Sequence, residues 1–266
     1  MKKGLSYWAF YNKTYREAFE FAKKNGFDGI EVTINATGEV TPETTDEEIL
    51  EIKRQGLEAG LEFFSVATGL LWDYPLTSND PAVREKAMGL VRRQLEIAQL
   101  LGCDSILVVP ALVTEDVPYD VAHERAFQAV TELIPYAEKC GVVMGLENVW
   151  NKAFLSPLET RDFIDRFNSP WVKMYFDIGN VMYMGYPEQW IDILGERICK
   201  VHVKDFVRST FKGADIGEGD CDYNKVIASL EKCGYNDFCT AEVFPEGKED
   251  YETADKAAKA MNKIFG

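Results

Sequence analysis

The chain has 266 residues, a length typical of one eight-stranded β/α barrel. Its formal net charge of −15 disfavours nucleic acid as a partner, because acidic surface repels phosphates. No apolar run approaches the roughly 20 residues that span a bilayer, and the amino terminus lacks the apolar region of a signal peptide. The six cysteines form no CxxC pair, so we expect reduced thiols. These features predict a cytoplasmic protein that acts on a small molecule without a membrane partner.

Eight apolar, strand-like segments alternate with helical patterns along the chain. They begin at Leu5, Gly26, Leu61, Ser105, Val142, Val172, Ile198 and Phe238. Many of the intervening helical patterns end in glycine just before the next strand, which is the usual helix stop in such units. Strict alternation predicts parallel strands, and eight units predict an α/β fold, a single (β/α)8 TIM barrel over residues 1–266. The absence of GxGxxG after the first strand and of GxxxxGK[ST] disfavours a doubly wound nucleotide-binding sheet.

Ligand-capable side chains stand near the carboxyl ends of four successive predicted strands. They are Glu147 in GLEN, Asp177 in YFDIGN, His202 in KVHVKD and Glu242 in TAEVF. Barrel active sites form at this end, so we expect the four to meet. Three carboxylates and one imidazole suit Mn²⁺, Co²⁺ or Mg²⁺, with Fe²⁺ or Zn²⁺ also compatible. Any one of the acids alone is equally explained by a buried ion pair with lysine or arginine.

Two of these residues, Glu147 and Glu242, come from the outer strands of the group. A substrate held between them would have one carboxylate on each face. This arrangement suits removal of a proton beside a carbonyl from one face and its return to the other. A metal ion at the carbonyl oxygen would stabilise the negative charge that develops.

The chain resembles the xylose-isomerase-like barrel superfamily of sugar and sugar-phosphate isomerases and epimerases, and within it the ketose 3-epimerases of the D-tagatose and L-ribulose-5-phosphate (L-xylulose-5-phosphate) type. The resemblance rests on the motifs LEN from Leu146, DIGN from Asp177, HVKD from His202, GEGDCDY from Gly217 and AEVF from Ala241. It implies one divalent metal, Mn²⁺ first, held by the four ligand residues above. It also implies that the two glutamates act as acid and base at C3 of a ketose through a cis-enediolate, in a homodimer or homotetramer.

The same resemblance marks substrate contacts and two departures. Arg208, six residues after the predicted histidine ligand, matches a substrate-binding arginine of the tagatose-type enzymes. Asn180 stands where those enzymes have a histidine, and Ala153 where they have a glutamate. The motifs DIGN and HVKD are closer to the phosphopentulose branch, in which Lys204 or Arg208 would meet a phosphate. Whether the sugar is phosphorylated stays open at this point.

Further candidates for substrate binding follow the first, second, third and fifth strands. Glu31 in GIEV would accept a sugar hydroxyl or form a salt bridge at the rim. The rings of Trp8, Tyr11, Trp72 and Trp150 would pack on the apolar side of a sugar and exclude water. Packing in the core or between subunits explains these aromatic residues nearly as well.

Three other functions are compatible with a barrel of this kind. An aldose–ketose isomerase of the hydroxypyruvate isomerase type would use the same enediolate. An endonuclease IV-like nuclease needs several histidines, whereas this chain has only His123 and His202. A non-catalytic sugar-binding barrel would not need the two glutamates.

Overall fold

The computed structural model describes residues 1–10, 12–245 and 251–266, which form a closed barrel of eight parallel strands. Including two short strands outside the barrel, the strands in chain order are β1 (Lys2–Ser6), β2 (Gly29–Ile34), β3 (Glu62–Thr68), β4 (Ser105–Val108), β5 (Val143–Glu147), β6 (Val172–Asp177), β7 (Ile198–Val203), β8 (Asp205–Val207), β9 (Lys212–Ala214) and β10 (Phe238–Ala241). The barrel order is β1-β10-β7-β6-β5-β4-β3-β2, and β8 pairs with β9 in a separate two-stranded sheet. The predicted (β/α)8 barrel is therefore confirmed.

Helices connect successive barrel strands. They are α1 (Tyr15–Lys24), α2 (Asp46–Glu58), α3 (Leu70–Asp73), α4 (Pro81–Leu101), α5 (Tyr119–Cys140), α6 (Pro157–Arg166), α7 (Ile178–Met182), α8 (Pro187–Leu194), α9 (Tyr223–Lys232) and α10 (Glu252–Phe265), with 3-10 turns at Tyr7–Ala9 and Gly195–Arg197. Local signals fix their ends. A capping box of Thr14 and Glu17 starts α1, while α4 and α5 stop at Gly102 and Gly141 in the left-handed conformation.

The structure differs from the sequence prediction mainly at element ends. The first strand begins at Lys2 rather than Leu5. The charged side chains of Lys2 and Lys3 suggested a solvated end, but their backbones pair in register with β10. The fourth strand stops at Val108, two residues before Pro110, which lacks the N–H that a sheet needs. The hairpin of β8 and β9 was not predicted, since three-residue strands carry almost no periodic signal.

Charged side chains on β7 lie at two levels of the barrel. Lys200 and His202 are two residues apart and so share the inward face of the strand. Lys200 lies at the amino end, where its Nζ is 2.7 Å from both Asp104 Oδ1 and Asp237 Oδ2. The three residues line a cavity of about 350 Å³. His202 lies nearer the carboxyl end, where the candidate site forms.

Two simpler expectations can also be compared with the structure. All six cysteines are free, as predicted. Within the described part of the chain, we find no helix with the length and apolar character needed to cross a bilayer.

Candidate metal and acid–base site

Four ligand-capable side chains meet at the carboxyl end of the barrel. Glu147 ends β5, Asp177 ends β6, His202 is the next-to-last residue of β7, and Glu242 directly follows β10. One ligand atom from each lies within 4.8 Å of all the others. All four side chains are buried. The structure thus brings together the residues that the sequence places at the ends of four strands.

Backbone pairing and local hydrogen bonds hold Asp177 in place. Strand pairing sets Asp177 opposite His202. The amide of Asn148 donates from Nδ2 to the carbonyl of Asp177 over 2.8 Å, and its Oδ1 accepts from Asp177 N over 2.8 Å. Asp177 Oδ1 caps α7 by accepting from Asn180 N over 2.7 Å. Its other oxygen, Oδ2, is therefore left to face the cluster.

The cluster fits a divalent cation on charge and on hydrogen bonding. Asp177 Oδ2 and Glu242 Oε2 are buried, and their polar neighbours among the described residues are side chains that carry or can carry a positive charge. Both lie beside the ammonium of Lys204, which is 2.9 Å from Asp177 Oδ2 and in ion-pair contact with Glu242. The acids of the cluster are Glu31, Glu147, Asp177 and Glu242. Among the described residues, one lysine and one histidine face these four buried carboxylates, and a divalent ion would offset the excess of acids.

The imidazole of His202 lies between two groups of carboxylates. Its Nδ1 is 2.9 Å from Glu242 Oε2 and 3.1 Å from Glu147 Oε1. Its Nε2 is 3.0 Å from Glu31 Oε1. The hydroxyl of Tyr175 donates to the other oxygen of Glu31. Glu31 is fully buried beside the histidine, below the rim position that the sequence indicated.

The two glutamates of the cluster have different electrostatic surroundings. Burial raises the pKa of Glu147 to about 7, against the opposing effect of the neighbouring His202. Burial alone would also raise the pKa of Glu242, but His202 and Lys204 outweigh it and hold that pKa well below its usual range. Burial would lower the pKa of His202, but Glu242 and Glu31 outweigh it and raise the pKa well above the ordinary value. Two chemically equal side chains thus differ in their affinity for a proton.

Asn180 and Trp150 border the cluster on one side. Asn180 Nδ2 donates to the carbonyl of Asn148 over 3.0 Å. The indole Nε1 of Trp150 donates to the carbonyl of Asn180 over 3.1 Å. The Trp150 ring is about half exposed and lies 5.6 Å from the Tyr183 ring and 6.0 Å from the Phe206 ring. The predicted contacts Asn180 and Trp150 are therefore linked to each other at the mouth of the barrel.

Trp8 lies on another side of the mouth. Its ring is 5.7 Å from Phe244, whose ring is 5.6 Å from Lys204 Nζ. The Phe244 ring therefore lies between Trp8 and Lys204, which contacts the cluster. Trp72 lies in α3 and is 41% exposed. Tyr11 lies outside the described residues.

The guanidinium of Arg208 makes its hydrogen bonds to Met182 and Gly185. Its guanidinium donates to the carbonyl of Met182 over 2.9 Å and to that of Gly185 over 2.7 Å. It also packs over the Tyr186 ring at 4.7 Å. In this structure Arg208 holds the segment that follows α7, and its role toward a substrate stays a prediction.

The glycine-rich motif after β9 is organised around Asp205. The carboxylate of Asp205 accepts hydrogen bonds from the backbone N–H groups of Phe206, Gly217, Gly219 and Cys221 over 2.8 to 3.2 Å. A Cβ atom at Gly219 would lie 2.1 Å from Asp205 Oδ1, so only glycine fits there. The amides that a phosphate-binding loop would use are therefore directed at a carboxylate of the protein itself.

Comparison with known proteins identifies the family. The model of a family described as a xylose isomerase-like TIM barrel matches residues 19–264. The chain belongs to this family.

Individual relatives of this xylose isomerase-like barrel have epimerase names. The L-ribulose-5-phosphate 3-epimerase UlaE of Escherichia coli is 28% identical over 255 residues, which cover 93% of this chain and 88% of the relative. A crystal structure of D-psicose 3-epimerase in the presence of D-fructose has a TM-score of 0.84 at 19% identity and covers 99% of this chain and 98% of its own. The crystal structure of the 3-keto-D-glucoside 4-epimerase YcjR from E. coli has a TM-score of 0.81 at 18% identity. The match covers 100% of this chain and 99% of that one.

Two residues with structural importance in this xylose isomerase-like barrel were missed by sequence reasoning. Tyr175 contacts Glu31, and Asp205 holds the glycine-rich loop. Tyr175 precedes Asp177 by two residues, so strand alternation could have placed it on the same inward face. Asp205 lies inside the HVKD motif, but nothing local connects it to residues 217–221.

Proposed function

We propose that this protein is a divalent-metal-dependent epimerase that inverts C3 of a ketose or ketose phosphate. The supporting observation is the buried cluster whose four ligand atoms lie within 4.8 Å. Glu147 and Glu242 come from β5 and β10, the outer strands of the arc β5-β6-β7-β10. Relatives named as ketose 3-epimerases support the same chemistry.

The metal would be held by Glu147, Asp177, His202 and Glu242. Mn²⁺ is the first candidate for this mostly oxygen donor set, followed by Co²⁺, Mg²⁺, Fe²⁺ and Zn²⁺. When bound, the ion supplies positive charge that stabilises the negative charge developing on the substrate's oxygen atoms.

The two glutamates would carry the proton transfer. One carboxylate takes the proton from C3, and the electron pair of the broken C–H bond moves toward the carbonyl to give an enediolate. The other glutamate, in its protonated form, then gives its proton to the opposite face of C3. The glutamates regain their starting protonation by exchange with water, so product formed in deuterium oxide carries deuterium at C3. Which of them removes the proton depends on the configuration of the substrate at C3.

Other residues at the mouth would bind and orient the sugar. Asn180 and Lys204 lie beside the cluster and offer hydrogen-bond donors. The rings of Trp8, Trp72 and Trp150 would cover the apolar side of the sugar and exclude water. Lys204 or Arg208 would meet the phosphate of a phosphorylated substrate.

Proton exchange in deuterium oxide over a panel of free and phosphorylated ketoses tests this function. Deuterium at C3 with inverted configuration supports a 3-epimerase. Deuterium at C1 or C2 of an aldose would instead establish the second candidate, an aldose–ketose isomerase that reprotonates the same enediolate at the neighbouring carbon. Tightly bound metal without exchange of any ketose proton would indicate a sugar-binding barrel without catalysis.

A nuclease with several zinc ions is disfavoured by the position of the second histidine. His123 lies on α5, where its ring is 4.8 Å from Phe163. It does not join the metal-compatible cluster, which contains one histidine. The imidazole ligands that an endonuclease IV-like site needs are therefore not assembled among the described residues.

We also propose a cytoplasmic homodimer or homotetramer. The six free thiols support a reducing compartment. Exposed aromatic side chains beside the mouth, among them Tyr183 and Phe211, support association with another subunit. Light scattering coupled to size-exclusion chromatography would give the assembly state, and a monomer at micromolar concentration would contradict this proposal.

A further inference from the structure

The two nitrogens of His202 face opposite sides of the buried cluster. Nδ1 faces Glu147 and Glu242, which come from the strands that carry the proposed metal ligands. Nε2 faces Glu31, whose two carboxylate oxygens lie 3.0 and 3.2 Å away. Glu31 comes from β2, which is separated from β7 by β10 and β1.

The carboxylate of Glu31 is itself held by Tyr175. The Tyr175 hydroxyl donates to Glu31 Oε2, and both side chains have no exposed surface. Among the described residues, the only ion-pair partner of Glu31 is His202. A carboxylate so deeply buried is costly unless it is fully paired, so these three side chains depend on one another.

We propose that Glu31 and Tyr175 form a positioning pair that holds the Nε2–H of His202 and thereby presents Nδ1 to the metal. The inference rests on the proposed function, which supplies the metal. A neutral imidazole has one N–H, and the hydrogen bond made by one nitrogen decides which nitrogen is left to bind a metal. Both oxygens of Glu31 face Nε2, whereas the proposed ligands Glu147 and Glu242 lie on the Nδ1 side, so Nε2 is the nitrogen that Glu31 would hold as a donor when a metal occupies the Nδ1 side.

This role differs from the sugar contact that the sequence indicated for Glu31. Both of its oxygens are already used, one by the tyrosine hydroxyl and one by the imidazole. It has no surface at the mouth of the barrel from which to reach a substrate. Its negative charge also makes the imidazole a stronger donor to a metal.

Binding of Mn²⁺ by purified protein, measured by calorimetry, tests the positioning pair. Glu31→Gln should weaken Mn²⁺ binding about 10- to 100-fold, the usual effect of losing the partner of a metal-bound histidine. Tyr175→Phe should weaken it about 5-fold, which is less than that range because the carboxylate remains. The double variant should bind no more weakly than Glu31→Gln, because Tyr175 acts through Glu31.

Tyr235→Phe provides the matched control. Tyr235 is also buried, and its hydroxyl donates to the Phe238 carbonyl at the amino end of the barrel. Its removal should leave Mn²⁺ affinity within about 2-fold, as expected for a change far from the ligands. A general loss of packing would instead weaken binding in both tyrosine variants, and this outcome would overturn the positioning role.

The histidine ring itself gives a second measurement. The chain has only two histidines, so the spectrum of ¹⁵N-histidine-labelled, Mg²⁺-loaded protein is simple to assign. We expect a protonated Nε2 and a metal-bound Nδ1 in His202. The opposite tautomer would contradict the proposal, as would unchanged Mn²⁺ affinity in Glu31→Gln together with a raised KM for the ketose. If Glu31→Gln does not fold, as judged by circular dichroism, Tyr175→Phe and its control decide the matter.

The outcome for the wild-type protein separates this inference from the proposed function. If wild-type protein binds Mn²⁺ but exchanges no ketose proton, the proposed epimerase activity is refuted. The positioning pair would then still be tested by the Mn²⁺ affinities of its own variants. If wild-type protein binds neither Mn²⁺ nor Mg²⁺, both the proposed function and the positioning role are refuted.

Discussion

The two ends of this barrel both bury charged groups, but they differ in how completely those groups are paired. At the amino end, the ammonium of Lys200 has a carboxylate oxygen of Asp104 and one of Asp237 at 2.7 Å, and both aspartates are partly exposed to water. At the carboxyl end, four buried acids share one lysine and one histidine among the described residues, so the acids outnumber the cations that face them.

The difference separates an ion cluster whose charges are paired within the protein from one with an excess of acids, which a bound cation would offset. A buried charge with well-placed partners holds a fold together without further help. A buried set of like charges without enough partners destabilises the fold until something binds there. Changes at the carboxyl end should therefore alter catalysis and metal binding, whereas changes at the amino end should alter stability alone.

The largest effect should come from Glu147→Gln. It keeps the size of the side chain but removes a group that takes or gives the proton at C3, so the exchange rate should fall about 10²- to 10⁴-fold. Nuclear magnetic resonance in deuterium oxide measures the loss. Asp237→Asn at the amino end is the control and should keep the wild-type rate within about 2-fold. Full activity in Glu147→Gln would exclude the proposed acid–base pair.

Removal of the metal should have the next largest effect. Treatment with a chelator should abolish exchange, and addition of Mn²⁺ should restore it. His202→Ala should lower metal affinity at least about 100-fold, because loss of a ligand exceeds the effect of losing a ligand's partner. Elemental analysis of the purified variants measures metal content, with Lys200→Met expected to retain the full amount. Wild-type activity that survives chelation would refute the metal-dependent mechanism.

At the amino end, loss of both acids should lower stability without lowering metal content. The double variant Asp104→Asn with Asp237→Asn removes both carboxylates that lie beside the buried ammonium of Lys200 in the described residues. We expect a loss of about 3 kcal/mol in the free energy of unfolding, at the low end for a broken buried pair because the aspartates are partly exposed. Urea unfolding measures it. An unchanged midpoint would show that this ion cluster does not stabilise the fold.

The same cluster predicts a dependence on alkaline pH. Burial alone would lower the pKa of Lys200, but Asp104, Cys199 and Asp237 outweigh it and raise that pKa above its ordinary value. Since folding raises the affinity for the proton, the stabilisation is complete below the unfolded pKa of about 10.4 and is lost as the pH rises through the folded pKa. Wild-type protein should therefore lose stability above about pH 10 relative to Lys200→Met. Parallel pH profiles of the two proteins would contradict this.

The smallest effect should come from Trp150→Phe at the mouth. This substitution removes the indole N–H that donates to the carbonyl of Asn180 and leaves an aromatic ring. The loss of one hydrogen bond, about 1 kcal/mol, should raise KM about 5-fold with little change in kcat. Trp171→Phe, just before β6 at the amino end, is the matched control and should leave KM unchanged. Equal effects in the two variants would place Trp150 outside the substrate site.

Much of the fold and the ligand positions follow from local sequence patterns. Alternation along a strand and the rule that barrel sites form at carboxyl ends were enough to select Asp177 and His202 as inward-facing neighbours. The capping residues and helix-ending glycines are local as well. For these features, each residue's structure depends mainly on a few neighbours in the chain.

Contacts across the barrel could not be predicted in this way. Tyr175 and Glu31 are 144 residues apart, and His202 and Glu31 are 171 apart, so their meeting depends on how the barrel closes. The bonds from Arg208 to two carbonyls depend likewise on the path of the loop after α7. The resemblance to a family indicated a role for the arginine but not its present partners.

The residues of the cluster are unevenly distributed between the two halves of the chain, so substitutions in the two halves should have different consequences. All four proposed ligands come from β5 onward, whereas, of the residues that the structure describes, the first four strands contribute Glu31 to the cluster. Under the proposed function, mutations in the first half would alter sugar contacts such as Trp8 and Trp72 while leaving the four proposed metal ligands unchanged. A mutation of Glu31 would differ from these, because Glu31 contacts His202, a proposed metal ligand in the second half.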